Sequence, residues 1–157
     1  MIRKKELTLL FVLFVFCLAL RLAFLTQKNM WFDEVFSWHM TQGSFKDIIT
    51  DTSVDIHPPL YYFLLKVWEY IFGQSISALR IFSVIFASSA ILFIYPISRK
   101  ALNIENSILV ILLYSISPLN LFFSQEVRMS ALNLFLNTGS VFFFIKVIES
   151  EPRGRGP

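Results

Sequence analysis

The sequence predicts an all-α integral membrane protein with about four transmembrane helices. Hydrophobic residues make up 55% of the 157 positions and charged residues only 16%, whereas soluble chains average about 45–50% and about 25%. The apolar residues also form runs long enough to cross a bilayer. This composition excludes a disordered chain and a disulfide-rich secreted domain, and the single cysteine, Cys17, makes no intrachain bridge. The net charge of +3 is too small to indicate nucleic-acid binding.

The first predicted span covers residues 7–25, an apolar run interrupted only by Thr8 and Arg21. At about 20 residues, this run can cross a hydrocarbon core roughly 30 Å thick. A basic cluster at residues 3–5 precedes it, so the positive-inside tendency places the N-terminus in the cytoplasm. A cleaved signal peptide is the rival interpretation, but the run exceeds the usual h-region and no small-residue cleavage site follows it.

Three further spans are predicted, at residues 81–98, 107–123 and 129–148. Segment 59–73 is too short and too charged to be a fifth span, because it carries Lys66 and Glu69 in its middle. If this segment lies along the outer interface, Arg99 and Lys100 fall in the cytoplasm, as the positive-inside tendency prefers; if it crosses, they fall outside. We therefore predict an interfacial helix over 59–73.

This topology assigns residues 1–148 to the membrane domain and leaves 149–157 as a disordered cytoplasmic tail. Nearly all the unusual polar residues then fall on the outer face, whereas the cytoplasmic side holds short basic connectors. Any chemistry is therefore expected outside, at the surface of the cell membrane.

A second interfacial helix is predicted over residues 31–41, where the apolar side chains fall on one broad arc at about 100° per residue. Asp33 and Glu34 lie on the remaining arc with two hydroxyl residues and form a narrow acidic stripe facing away from the lipid. The simplest alternative is that both acids only stabilise the helix N-terminus. His39 falls within the apolar arc and is expected to be packed or interfacial.

Two other polar clusters lie on the outer face. His57 precedes two prolines, which hold it at an extended corner, although a turn histidine facing water is the plain alternative. Residues 124–128, with Glu126 and Arg128, form the whole connection between two spans, just beyond Pro118, which can bend the preceding helix. Their charges alternatively mark the headgroup zone.

Some polar residues are predicted within or beside the spans themselves. Arg21 and Arg80 are most simply snorkelling cations, and either can also meet an anionic lipid headgroup. In the last span, four polar residues recur on one face that must look into a helix bundle, where they act as packing contacts: Ser130, Asn133, Asn137 and Ser140.

The order of these motifs is more specific than any one of them. Four motifs follow the first helix in this order: Trp-Phe-Asp-Glu-Val-Phe-Ser, His-Pro-Pro-Leu-Tyr-Tyr, Ala-Leu-Arg-Ile-Phe-Ser and Ser-Gln-Glu-Val-Arg-Met. This order resembles the N-terminal part of the GT-C membrane glycosyltransferases. It is most similar to the protein O-mannosyltransferase-like group of family 39, which includes the aminoarabinose transferases. The resemblance covers residues 3–148, and the Asp-Glu pair and the His-Pro-Pro-Leu-Tyr-Tyr run are its most diagnostic parts.

The resemblance implies an inverting glycosyltransferase that takes a sugar from a polyprenyl-phosphate carrier. The acceptor, on the outer face, is a protein, a glycolipid or an envelope polymer. It implies that Asp33 is the general base, since an acceptor hydroxyl must lose its proton as it attacks the anomeric carbon. Glu34 completes the catalytic pair by positioning the acceptor or a loop.

The resemblance also implies which residues bind the substrate. The leaving phosphate needs cations, for which Arg128 is the first choice and Arg80 the second. Glu126 is expected to hold Arg128 or to contact sugar hydroxyls. His57 is expected to donate a hydrogen bond to the phosphate or the sugar, or to bind the acceptor.

Several alternatives stay open at this point. No cofactor is firmly implied: some relatives with this fold use a divalent metal, but Asp33, Glu34 and His57 are not a decisive ligand set by spacing. Members of the family have further helices, so the chain resembles the front part of a longer or truncated enzyme. The alternative function is a non-catalytic membrane protein that binds lipid-linked sugar or assembles with other membrane proteins. A transporter or channel is disfavoured because few ionisable residues lie at mid-depth.

Overall fold

The computed structural model describes residues 4–23 and 25–150, so Arg3 and most of the predicted tail lie outside the described residues. Within these ranges the chain is helical and contains no strand, which confirms the predicted all-α fold. The helices are α1 (Lys4–Leu22), α2 (Phe32–His39), α3 (Phe45–Ser53), α4 (Leu60–Phe72), α5 (Ile76–Ser89), α6 (Ile91–Ala101), α7 (Ile104–Ile116), α8 (Pro118–Ser124) and α9 (Ser130–Ser150).

Two helical units of the described chain are long and apolar enough to cross a membrane: Ile76–Ala101, which joins α5 and α6, and α9. A third span results if α7 and α8 count together. Helix α1 does not join this group because its 19 residues include Lys4, Lys5, Glu6 and Arg21. The described residues thus hold two or three helices of spanning character, where the sequence predicts about four.

The bend predicted at Pro118 is present. Helix α7 ends at Ile116, and α8 begins at Pro118 and turns away by 57°. Proline is tolerated in the first turn of a helix, where its missing N–H would have no partner, but it cannot continue the helix before it. The C-terminal end of this bent pair is therefore a short separate helix.

A layer of short helices, α2 to α4, precedes α5. The polar side of α2 faces the protein, since Glu34 and Ser37 are buried, whereas Phe32 and Val35 are exposed. His39 is also exposed rather than packed against the protein. Helix α3 is not among the elements predicted from the sequence. It forms because the Ser44 hydroxyl accepts from the Asp47 amide at 3.3 Å and the Asp47 carboxylate accepts from the Ser44 amide at 2.6 Å.

Two apolar clusters hold the described helices together. One lies under the α2–α4 layer and reaches α5 and α9; its buried members are Met40, Ile48, Tyr61, Tyr62, Leu65, Leu79, Phe82, Val127 and Leu132. The other joins α1, α6 and α7 through Leu10, Leu13, Cys17, Ile91, Tyr95 and Ile111. The first cluster supports the short helices, of which α2 carries Asp33 and Glu34.

The polar face predicted to look into a bundle does not do so within the described residues. Asn133, Asn137 and Ser140 are exposed, and the buried side of α9 instead carries Ala131, Leu132 and Gly139. The reason is aromatic packing, since α9 lies against α5 and α6 through its phenylalanines. A Cβ atom at position 139 would lie 3.1 Å from the ring of the α6 phenylalanine, so glycine lets the two helices approach.

Arg21 is not a snorkelling cation. Its side chain is fully buried, and its Nη1 donates to the Cys17 carbonyl at 3.3 Å and to the Cys17 sulfur at 2.6 Å. The guanidinium carbon lies 4.9 Å from the centroid of the Tyr114 ring. Packing between α1 and α7 therefore encloses a charge that the sequence pattern assigned to the headgroup zone.

Candidate functional site

A buried ion pair joins Glu34 of α2 to Arg80 of α5. The Arg80 Nε and Nη2 donate to the two Glu34 oxygens at 2.9 and 2.7 Å, and both side chains are at least 96% buried, with relative exposures of 1% and 4%. Arg80 also donates through Nη1 to the carbonyls of Leu25 and Lys28 at 2.7 and 2.9 Å, and through Nη2 to that of Asn29 at 3.3 Å. All five guanidinium N–H donors of Arg80 are thereby engaged.

This pair fixes the frame around Asp33 and Arg128. The Glu34 carboxylate also accepts from the Val127 amide at 3.0 Å, so it connects α2, α5 and the α8–α9 connection. Arg80 holds the 25–29 segment by its carbonyls. The expectation of a snorkelling Arg80 is wrong because a carboxylate 46 residues away in the sequence pairs with it inside the protein.

Asp33, the neighbour of Glu34, points to a different partner. Its carboxylate accepts from Nη1 of Arg128, and both side chains stay partly exposed. The Arg128 guanidinium lies 5.9 Å from the Trp31 ring centroid. The structure therefore pairs Arg128 with Asp33, and the side chain of Glu126 is not its partner among the described residues.

His57 is held by a second carboxylate. The distance between its Nδ1 and the Asp55 carboxylate is 2.9 Å. This hydrogen bond from His57 is the main cause that lowers the pKa of Asp55. Because the Asp55 carboxylate can only accept, Nδ1 carries the proton, and in the neutral ring Nε2 is then a hydrogen-bond acceptor.

These groups meet in one cavity of about 170 Å³, which we call the Asp33 cavity. It brings together Asp33, His57 and Arg128, three of the residues that the sequence singles out. Asp55 and Tyr62 also line it, and burial raises the pKa of Tyr62 to about 12. The remaining lining residues are Phe32, Phe36, Ser37 and Met129.

A second cavity, which we call the Lys28 cavity, has a volume of about 230 Å³. Glu126 lines it with only 5% of its surface exposed, and the Glu126 Oε2 has no hydrogen-bond partner among the described residues. Burial, followed by the negative charge of Glu34, raises the pKa of Glu126 to about 7. The other lining residues are Leu25, Lys28, Asn29, Trp31, Glu34, Arg80, Phe122 and Gln125.

The raised pKa of Glu126 predicts how stability depends on pH. The folded state binds this proton more tightly than the unfolded state, in which the carboxyl has its ordinary pKa of 4.5. The contribution of Glu126 to the free energy of unfolding therefore falls as pH rises from about 4.5 to about 7, by at most about 3 kcal/mol. Glu126→Gln removes this component, so the variant gains stability relative to wild type between pH 5 and pH 8. Unfolding in detergent micelles at both pH values checks this, and parallel pH curves would contradict it.

A metal centre has no support in the described ranges. No group of three or more histidine, cysteine, aspartate or glutamate residues lies there with the geometry to hold a metal ion. Asp33 is engaged by Arg128, and Glu34 by Arg80. The arrangement instead offers carboxylates, a histidine and guanidinium groups for acid–base and anion-binding chemistry.

Comparison with models of protein families gives a match that covers more than half of the chain. The sequence model of the family described as dolichyl-phosphate-mannose-protein mannosyltransferase matches residues 56–155. The matched range includes His57, Arg80, Glu126 and Arg128, whereas Asp33 lies before it. No curated protein and no solved structure matches the chain.

Proposed function

The chain belongs to the dolichyl-phosphate-mannose-protein mannosyltransferase family, and we propose that it transfers a sugar from a polyprenyl-phosphate-linked donor to an acceptor at the outer face of the membrane. The family is a glycosyltransferase family of the GT-C type. The observation that carries the finer proposal is the Asp33 cavity, in which a carboxylate, a carboxylate-held histidine and an arginine face one space.

The proposed reaction assigns Asp33 as the general base. An acceptor hydroxyl attacks the anomeric carbon, the bond from that carbon to the phosphate oxygen breaks, and Asp33 takes the hydroxyl proton. Arg128 uses one Nη1 donor on Asp33, so its other N–H groups are available to the phosphate oxygens of the leaving group. His57, oriented by Asp55, accepts a hydrogen bond from the acceptor or the sugar through Nε2.

Glu34 and Arg80 have a different role in this proposal. All donors of Arg80 and both oxygens of Glu34 are engaged within the protein. We therefore assign them as positioning residues, which hold Asp33 on one side and Arg128 on the other. Glu126 lies at the adjacent Lys28 cavity and is assigned to the donor sugar hydroxyls.

The ion pair between Asp33 and Arg128 also favours a second candidate function. In this pair the Arg128 Nη1 occupies the Asp33 Oδ2, an oxygen that base catalysis would use, and the arrangement suits anion binding better than base catalysis. A non-catalytic protein that binds lipid-linked sugar would present the same two cavities. The two functions differ in whether bound donor is consumed.

The test uses membranes from cells that make the protein and from cells that lack it. Polyprenyl-phosphate mannose labelled in the sugar is added, and labelled sugar leaving the lipid is followed together with donor bound to the purified protein. A transferase binds the donor and speeds its consumption. Binding without consumption indicates the non-catalytic candidate, and absence of both refutes the proposed function.

A further inference from the structure

The lining of the Lys28 cavity includes a cation, the Lys28 ammonium, that has no part in either of the two candidate functions described above. Arg80 also lines this cavity, but its donors are engaged. The Lys28 side chain is exposed, and its ammonium lies 5.0 Å from the centroid of the Phe122 ring. No ion pair holds it among the described residues, whereas its backbone carbonyl is fixed by Arg80 at 2.9 Å. The Lys28 ammonium, which has no ion pair within residues 4–23 and 25–150, therefore lies at the cavity wall on a segment that Arg80 anchors.

The groups around Lys28 suit a phosphate. Asn29, exposed in the same cavity, offers amide donors. Glu126 has a carboxyl oxygen without a partner, and in its protonated form it donates a hydrogen bond to an anion. Burial raises the pKa of Glu126, and the positive charges of Arg128 and Lys28 act against that rise, so the two cations lie near the same carboxyl. An anion beside Glu126 would therefore be within the field of both cations.

The apolar rim of this cavity indicates that the anion carries a lipid chain. Phe122, which the Lys28 ammonium contacts, belongs to α8, the short helix that bends away from α7 at Pro118. Leu119 and Phe123 of the same helix are exposed as well. An ammonium at the junction of a polar cavity and an exposed apolar helix matches an amphiphile with a phosphate head.

We propose that Lys28 binds the phosphate of the lipid-linked donor, with the lipid chain along α8. This inference rests on the proposed function and adds the direction of donor entry. Lys28 supplies the second phosphate cation, the role expected from the sequence for Arg80. Trp31 lines the Lys28 cavity, and the Arg128 guanidinium of the Asp33 cavity lies 5.9 Å from its ring centroid, so Trp31 connects the two cavities.

The test measures binding of polyprenyl phosphate, without sugar, to the purified protein in detergent micelles by native mass spectrometry. Lys28→Met is expected to raise Kd about tenfold or more, because a charge-assisted hydrogen bond is lost. Lys28→Arg keeps the charge and is expected to stay within about threefold of wild type. Lys46→Met, which removes an exposed lysine of α3, is the matched control and should leave Kd unchanged. Equal Kd values for wild type and Lys28→Met would overturn the proposal.

Two further probes identify the source of the phosphate. Phosphatidylglycerol should bind weakly and without dependence on Lys28; if Lys28→Met weakens it as much as polyprenyl phosphate, the site reads anionic headgroups and the donor assignment is wrong. Inorganic phosphate should bind far more weakly than the lipid; equal binding would overturn the role of α8. This test measures binding and not turnover, so its outcome is separate from that of the transfer assay. A protein that transfers no sugar but binds polyprenyl phosphate through Lys28 would refute the transferase function and still support the Lys28 site.

Discussion

Replacing Glu34 with alanine is expected to lower the free energy of unfolding by about 3–5 kcal/mol. The carboxylate is buried, and its loss leaves the Arg80 guanidinium enclosed without a counter-charge. The Val127 amide loses its acceptor in the same change. The measurement is denaturant-induced unfolding in detergent micelles, followed by tryptophan fluorescence.

The control for this prediction is an exposed ion pair. Lys100 and Glu149 form a salt bridge on the surface, and Glu149→Ala is expected to cost less than about 1 kcal/mol. If Glu34→Ala costs no more than Glu149→Ala, the buried pair does not fix the frame of the site. The positioning role of Glu34 and Arg80 would then be wrong.

Some of the fold follows from local sequence rules. Helices α2 and α4 lie close to the predicted segments 31–41 and 59–73. The 3.6-residue period of α2 and the proline pair before α4 are both features of the local sequence. The break before α8 follows from the covalent geometry of Pro118. The missed helix α3 had a signal as well, since Ser44 and Asp47 have the spacing of a capping box.

Other features depend on contacts between distant residues. The sequence places Arg80 near a membrane boundary, where snorkelling is the ordinary expectation, and nothing local shows that Glu34 closes on it. Arg21 is enclosed for the same reason, by packing of α7 against α1. On α9, the polar residues do recur on one face of the helix, but the prediction that this face is buried was wrong. Aromatic contacts with α5 and α6 determine which face of α9 is buried.

The candidate site was predictable in part. Resemblance to a family singled out Asp33, His57 and Arg128, and the structure places all three on one cavity. Asp55 was assigned no role in the site, although an aspartate two residues before a histidine at a rigid corner is a usable signal. No sequence pattern marks Lys28. Its role becomes visible only in the structure, where the donors of Arg80, the other cation of the same cavity, are engaged within the protein.

Asp33→Asn is the prediction that bears most directly on catalysis. Asparagine keeps the shape of the side chain but cannot take a proton from the acceptor hydroxyl, so the rate of sugar transfer is expected to fall by about 10²–10⁴. Arg128 loses its counter-charge and becomes more available to phosphate. Donor binding is therefore expected to stay or to tighten while turnover falls.

The matched control is Asp51→Asn, which neutralises an exposed carboxylate on α3. This change alters the net charge by the same amount and is expected to leave both binding and turnover unchanged. Asp33→Glu is a second comparison, because it keeps the carboxylate and displaces it by one methylene. Its activity should lie between that of Asp33→Asn and wild type.

The decisive measurement is therefore made on wild type, Asp33→Asn and Asp51→Asn in the same membranes. Donor bound per protein and labelled sugar transferred per minute are recorded for each. The account predicts that Asp33→Asn binds the donor at least as well as wild type and transfers sugar at least about 100-fold more slowly. Transfer by Asp33→Asn at the wild-type rate would show that Asp33 is not the base and would contradict the proposed mechanism.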